Sequence, residues 1–82
     1  MSTWEKLMYR VKSLSDDLRF EEIKKVLEEY GYEMKRSGSA GSHCTFRKEG
    51  RDPLTIPKHG KNVKVIYVKL VKKAVEEDDN NG

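Results

Sequence analysis

The chain has 82 residues, of which 35% are hydrophobic and 38% are charged, and its formal net charge is +3. This length allows one small domain, and the composition is that of a folded rather than a disordered protein. No apolar run approaches the roughly 20 residues of a membrane span, and the N-terminus lacks the apolar stretch of a secretory signal. Cys44 is the single cysteine and cannot form an internal disulfide, so we expect a cytoplasmic protein.

The charge is distributed unevenly along the chain. Residues 1–31 carry six basic and seven acidic side chains, whereas residues 32–73 carry eleven basic and three acidic ones. Residues 74–82 carry four acids and no base. The basic middle segment is typical of a surface that attracts a polyanion such as nucleic acid. It is equally compatible with a solvated, lysine-rich surface that has no partner.

Two amphipathic helices are predicted in the first third of the chain. Apolar residues recur at helical spacing from Trp4 to Val11 and again from Phe20 to Tyr30. Gly31 follows as a stop that can adopt the left-handed conformation. We therefore predict an N-terminal helical extension within residues 1–16 and a helix over residues 21–30.

After the second helix the hydrophobic period changes from 3.6 to two, which predicts three short strands. A loop of small residues, 37–41, joins the first two strands, and a hairpin turn over residues 49–53 joins the second to the third. Pro57 cannot donate to a ladder, so it belongs at a strand end or at the sheet edge. Helical spacing returns over residues 65–77, and the acidic residues 78–82 are expected to be disordered.

These elements predict an α+β domain over residues 17–77, with a three-stranded antiparallel sheet and helices packed on one face. Strand alternation directs Cys44 and Phe46 toward the helices, and His43, Thr45 and Arg47 toward solvent. The predicted core draws apolar residues from the second helix onward: Phe20, Ile23, Leu27, Met34, Cys44, Phe46, Ile56, Leu70 and Val71.

His43 is the residue on the solvent face with the clearest chemical potential. An imidazole has an unperturbed pKa of about 6.5, so it accepts or donates a proton near neutral pH. RNA carries its own nucleophile, the 2′-hydroxyl, and a ribonuclease therefore needs a base and cations rather than a metal or a nucleophilic side chain. The alternative is a surface histidine without a role.

A second histidine, His59, lies in the basic segment IPKHGK. It is a candidate acid or phosphate contact, and the alternative is an ordinary loop histidine. The two histidines and one cysteine are too scattered to predict a metal site, and no cofactor is expected. The residues predicted to bind RNA are basic or small and flank His43 in the predicted fold: Lys35, Arg36, Ser42, Arg47, Lys58 and Lys61.

Several short motifs in register, GSHCTFRKEG, LTIPKHGK and YVKLVKKAVEE, preceded by FEEIKKVLEEYGYEMKR, resemble the HicA family of small ribonuclease toxins. The resemblance covers roughly Asp17 to Val75. It implies a fold like that of a double-stranded-RNA-binding domain, α-β-β-β-α, here with an extra N-terminal helix. It also implies metal-independent cleavage of mRNA, with His43 in the place of the essential histidine, and silencing by a HicB antitoxin that covers the active site.

We therefore interpret the chain as the toxin of a type II toxin–antitoxin pair, an mRNA interferase that uses His43 as general acid or base. Two alternatives come from other functional classes. One is a non-catalytic module that binds double-stranded RNA, and the other is a protein adaptor whose basic face is incidental.

Overall fold

The computed structural model describes residues 3–36, 43–58 and 60–81. It contains three helices and three strands: α1 Thr3–Lys12, α2 Phe20–Glu29, β1 Glu33–Arg36, β2 His43–Arg47, β3 Leu54–Pro57 and α3 Val65–Asn81. The prediction of an α+β fold with the order α-β-β-β-α and an additional N-terminal helix is confirmed. Within these ranges, none of the helices combines the length and apolarity that crossing a bilayer requires.

The sheet has the order β1-β2-β3, and both strand pairs are antiparallel. Phe46 in the central strand is paired with Met34 on one side and Leu54 on the other. These three side chains face the helices, and Phe46 is completely buried. The opposite face of the sheet is left to solvent, as predicted from the alternation of side chains along β2.

Helix α2 ends in a Schellman motif built around Gly31. The Gly31 N–H donates to the Glu28 carbonyl at 3.0 Å, and the Tyr32 N–H donates to the Leu27 carbonyl at 2.9 Å. Gly31 has a φ of 92°, which residues with a Cβ rarely adopt. The predicted helix stop is therefore confirmed, and the turn leads the chain directly into β1.

Helix α1 is part of the common core, although it precedes the predicted domain. It contributes three buried side chains: Leu7, Met8 and Val11. Arg10 joins it to the following segment, since its NH1 donates to Glu22 Oε2 at 2.7 Å and its NH2 donates to Asp17 Oδ1 at 3.0 Å. Apolar burial on one side and this ion pair on the other hold α1 against the rest of the domain.

Two predictions about the last helix are wrong. Leu70 was expected in the core, but its side chain is 42% exposed, and Val68 and Val71 are the completely buried residues of this stretch. The acidic residues after Glu77 were expected to be disordered, but α3 continues as a helix to Asn81. The physical reason is that Asp78 pairs with cations of the β2–β3 hairpin, which favours the helical conformation at this end. The predicted loop over residues 37–41 lies outside the described residues.

Candidate nucleic-acid interface

His43 is the first residue of β2 and lies on the solvent face of the sheet. Its side chain is exposed, whereas the next residue, Cys44, is 1% exposed and packs in the core. Across the strand pair His43 stands opposite Pro57 at the end of β3. The predicted position of this histidine is thus confirmed, and so is the burial that makes Cys44 a poor nucleophile.

Three polar residues lie side by side across the centre of the same face. Lys35 in β1 is paired with Thr45 in β2, which is paired in turn with Thr55 in β3. The Thr45 and Thr55 hydroxyl oxygens are 3.3 Å apart and share a hydrogen bond. Thr45 is two residues from His43, so this row of polar side chains lies next to the histidine on the same face.

Arg47 lies at the other end of β2, opposite Glu33. At about 3.3 Å per residue, the backbones of His43 and Arg47 are roughly 13 Å apart along the strand.

Lys35 is paired only loosely with an acid of its own strand. Its Nζ lies 3.6 Å from Glu33 Oε2, but both side chains are more than half exposed. An exposed ion pair of this kind contributes little to stability, so Lys35 can readily exchange Glu33 for another anion.

Lys58 is directed away from this face. Its ammonium lies 5.5 Å from the centroid of the Phe20 ring, at the start of α2. The Phe20 ring packs in turn 6.1 Å from the ring of Phe46, on the helix side of the sheet. The structure therefore brings Lys35 and Arg47 onto the face of His43 but does not bring Lys58 there.

The remaining predicted contacts lie in loops or outside the described residues. Lys61 is exposed in the loop between β3 and α3. Ser42, His59 and the side chain of Arg36 lie outside what the structure describes. The predictions that these three residues contact RNA, and that His59 assists catalysis, stay predictions.

A hollow of about 130 Å³ opens beside Pro57, the strand partner of His43. Its walls come from the β3–α3 loop and the first turn of α3: Pro57, Gly60, Asn62, Val63, Lys64 and Tyr67. No motif of the sequence pointed to Asn62, Lys64 or Tyr67 as candidates. The basic residues of this loop and His59 among them had pointed to the loop itself. The hollow was not predictable, because it depends on how α3 returns to the sheet edge.

The segment that follows the hairpin turn is strongly basic. From Pro53 to Val75 the sequence contains six lysines and no acidic residue. Two acids further along α3, Glu77 and Asp78, pair with Arg51 and Lys48 of the hairpin. Among the residues with described positions, no three His, Cys, Asp or Glu side chains are grouped so that they could hold a metal ion.

Comparison with known proteins identifies one family. The model of the HicA toxins of bacterial toxin–antitoxin systems matches residues 20–76, which include all three strands, α2 and most of α3. No curated protein and no solved structure shows a significant match to the chain. The match covers well over half of the chain and contains His43 together with the polar face around it, and the chain therefore belongs to the HicA family of toxins.

Proposed function

We propose that this toxin is a metal-independent endoribonuclease that cleaves mRNA on the solvent face of its sheet, with His43 as general acid or base. The observation that carries the proposal is the position of His43. It is exposed at the start of β2, within the family match and beside a row of hydroxyl and ammonium groups. An exposed imidazole next to cations meets the minimum that RNA cleavage needs.

In the proposed reaction the histidine removes the proton of the 2′-hydroxyl next to the scissile phosphate. The 2′-oxygen then attacks the phosphorus, the bond to the 5′-oxygen breaks, and the leaving oxygen takes up a proton. The products are a 2′,3′-cyclic phosphate and a 5′-hydroxyl. His59 is the candidate for the proton donor, and its alternative role is to contact a phosphate.

The cations of the face stabilise the negative charge that develops on the phosphate oxygens. Lys35 is proposed to bind the phosphate that is cleaved at His43, since it is paired with Thr45, two residues along β2 from the histidine. Thr45 and Thr55 offer hydroxyl donors beside it. Arg47 is roughly 13 Å further along the strand and suits a neighbouring phosphate of the same RNA. Lys61 and Arg36 remain proposed backbone contacts.

The toxin is further proposed to be silenced by a HicB-type antitoxin that covers this face. Family membership supports a pairing with an antitoxin protein. The solvent face is a suitable target, because an antitoxin that covers His43 blocks access of RNA to the reacting group.

Substitution of His43 by alanine tests the catalytic proposal. The variant should keep its fold and its RNA affinity, since an exposed residue at a strand end changes stability by less than about 0.5 kcal/mol. Cleavage of purified RNA should fall by roughly 10²–10⁴-fold, the usual contribution of general acid–base catalysis. A 2′-deoxy substitution at the cut site should block cleavage, and excess chelator should not.

Thr55→Val is a comparison variant, because it removes a proposed hydroxyl donor of the same face but no group that carries a proton near neutral pH. It should leave the pH dependence of cleavage unchanged. His59→Ala should reduce the rate as much as His43→Ala if His59 is the acid, and less if it only binds phosphate. Full activity of purified His43→Ala would refute the catalytic role.

The second candidate is a module that binds double-stranded RNA without cutting it. The observation that favours it is the α-β-β-β-α order itself, with one face of the sheet left open. Binding of duplex RNA with an affinity that falls steeply with salt, and no cleavage by the wild-type protein, would favour this function over the nuclease.

A further inference from the structure

The end of α3 places a carboxylate between two cations of the β2–β3 hairpin. Lys48 Nζ donates to Asp78 Oδ2 at 2.6 Å, and Arg51 donates to Asp78 Oδ1 from Nε at 2.9 Å and from NH2 at 2.6 Å. Only 10% of the Asp78 side chain is exposed. Short charge-assisted hydrogen bonds from an ammonium and from two guanidinium nitrogens are also the means by which proteins hold phosphate.

Lys48 is oriented by contacts that do not involve Asp78. The Lys48 ammonium lies 5.7 Å from the centroid of the Tyr32 ring, and its side chain passes over Gly31. The hairpin turn fixes Arg51, whose backbone N–H donates to the Lys48 carbonyl at 3.0 Å. The turn fixes only the backbone of Arg51, and its guanidinium also pairs with Glu77 Oε2 at 3.5 Å. The hairpin thus brings an oriented ammonium and a guanidinium to the same anion.

This pair adjoins the candidate nucleic-acid interface. Lys48 follows Arg47 directly in the chain, at the end of β2, but its side chain lies on the helix side of the sheet, against Tyr32 and Asp78. An RNA strand that leaves the face at Arg47 and passes over this end of the sheet would meet the pair. Both cations lie inside the family match, which ends at residue 76, whereas Asp78 lies beyond it. The anion that fills the pair is thus supplied by a segment outside the part of the chain that matches the family.

We propose that Lys48 and Arg51 form a phosphate site for RNA and that Asp78 occupies it as an intramolecular plug. The carboxylate stands in for a phosphate of the bound strand, and the end of α3 thereby lowers the number of cations that the toxin offers to RNA. This inference rests on the proposed function, since RNA is taken as the source of the phosphate. It adds an autoinhibitory contact in which Asp78 binds both cations, while Glu77 contacts Arg51 alone at the longer distance of 3.5 Å.

Asp78→Asn and Asp79→Asn make a matched pair of variants to test the plug. Both remove one negative charge from adjacent positions of α3, but Asp79 pairs with Lys12 and Tyr30 rather than with the hairpin. Each is combined with His43→Ala to prevent cleavage, and binding to a single-stranded RNA is measured at several salt concentrations. Each phosphate contact on a single strand adds about 0.7 to the slope of log affinity against log salt.

Asp78→Asn releases Lys48 and leaves Arg51 only its longer pair with Glu77, so the slope should steepen by about 0.7–1.4. The slope should stay unchanged in Asp79→Asn. Adding Lys48→Gln and Arg51→Gln to Asp78→Asn should return the slope to its original value. Equal slopes for the two single variants would overturn the proposal, because the effect would then be one of net charge alone.

Two further measurements test the proposal if a variant is unstable or if RNA does not bind. In the wild-type protein an amine-reactive reagent should label Lys48 slowly, with no further protection by RNA, whereas protection of Lys48 by RNA would overturn the plug. Elution from heparin, a polyanion without a scissile phosphate, should require more salt for Asp78→Asn than for Asp79→Asn. If that shift occurs while no variant binds RNA, the proposed function fails and the masked anion site stands.

Discussion

Deletion of residues 1–16 should unfold this protein, although the family match begins only at residue 20. Helix α1 buries Leu7, Met8 and Val11, which are at most 9% exposed. Burial of such side chains stabilises by about 1.5–3 kcal/mol each, so the deletion removes about 4–9 kcal/mol before the exposure of their former neighbours is included. A domain of this size has a total stability of about 4–12 kcal/mol, so the loss is comparable to the whole.

Circular dichroism of the truncated chain and urea unfolding of single variants test this estimate. Leu7→Ala should lower the free energy of unfolding by about 2–5 kcal/mol, as for other buried leucines. Tyr9→Ala, on the same helix but at a side chain that is 67% exposed, should change it by less than about 0.5 kcal/mol. A truncated chain that unfolds cooperatively at the wild-type urea concentration would refute the assignment of α1 to the core.

The remaining predictions concern the core and the ion pairs between Asp78 and the β2–β3 hairpin. Leu27→Ala should lower the free energy of unfolding by about 2–5 kcal/mol, because Leu27 is completely buried. Leu70→Ala should lower it clearly less, because Leu70 is 42% exposed. Equal urea midpoints for the two variants would contradict the packing. The hydrogen bond from Lys48, reinforced by Arg51 and opposed by burial, lowers the pKa of Asp78 below its ordinary 3.8. The contribution of ionised Asp78 to the free energy of unfolding is complete above about pH 4, and it is lost as the pH falls through the folded-state pKa of this carboxyl. Asp78→Asn should therefore weaken the dependence of urea midpoints on pH in this acidic range, and parallel curves for the two proteins would argue against the coupling.

The secondary structure was largely predictable because its determinants are local. The change of hydrophobic period after Gly31, and the glycine itself, indicate where α2 ends and the sheet begins. Alternation along β2 was enough to place Cys44 in the core and His43 in solvent, since successive side chains of a strand point to opposite faces. The motifs around His43 also indicated the family, because the identity of short motifs does not depend on packing.

The errors arose where a residue's environment depends on partners that are distant in the chain. Leu70 fits the helical spacing of α3, but the rotation of the helix against the sheet decides that Val68 and Val71 fill the core. Lys58 directly follows β3, the strand paired with the strand of His43, yet its ammonium lies over the Phe20 ring of α2, on the helix side of the sheet.

The sequence by itself determined the order of the elements, the exposure of His43 and the basic character of the middle segment. The tertiary structure alone decided which cations lie on the face of His43 and which contact other parts of the fold. Residues 78 and 79 look like a solvated acidic tail, because nothing local gives them a partner. The fold brings Asp78 within hydrogen-bonding distance of Lys48 and Arg51, 30 and 27 residues earlier in the chain, and so turns the tail into the last turns of a helix.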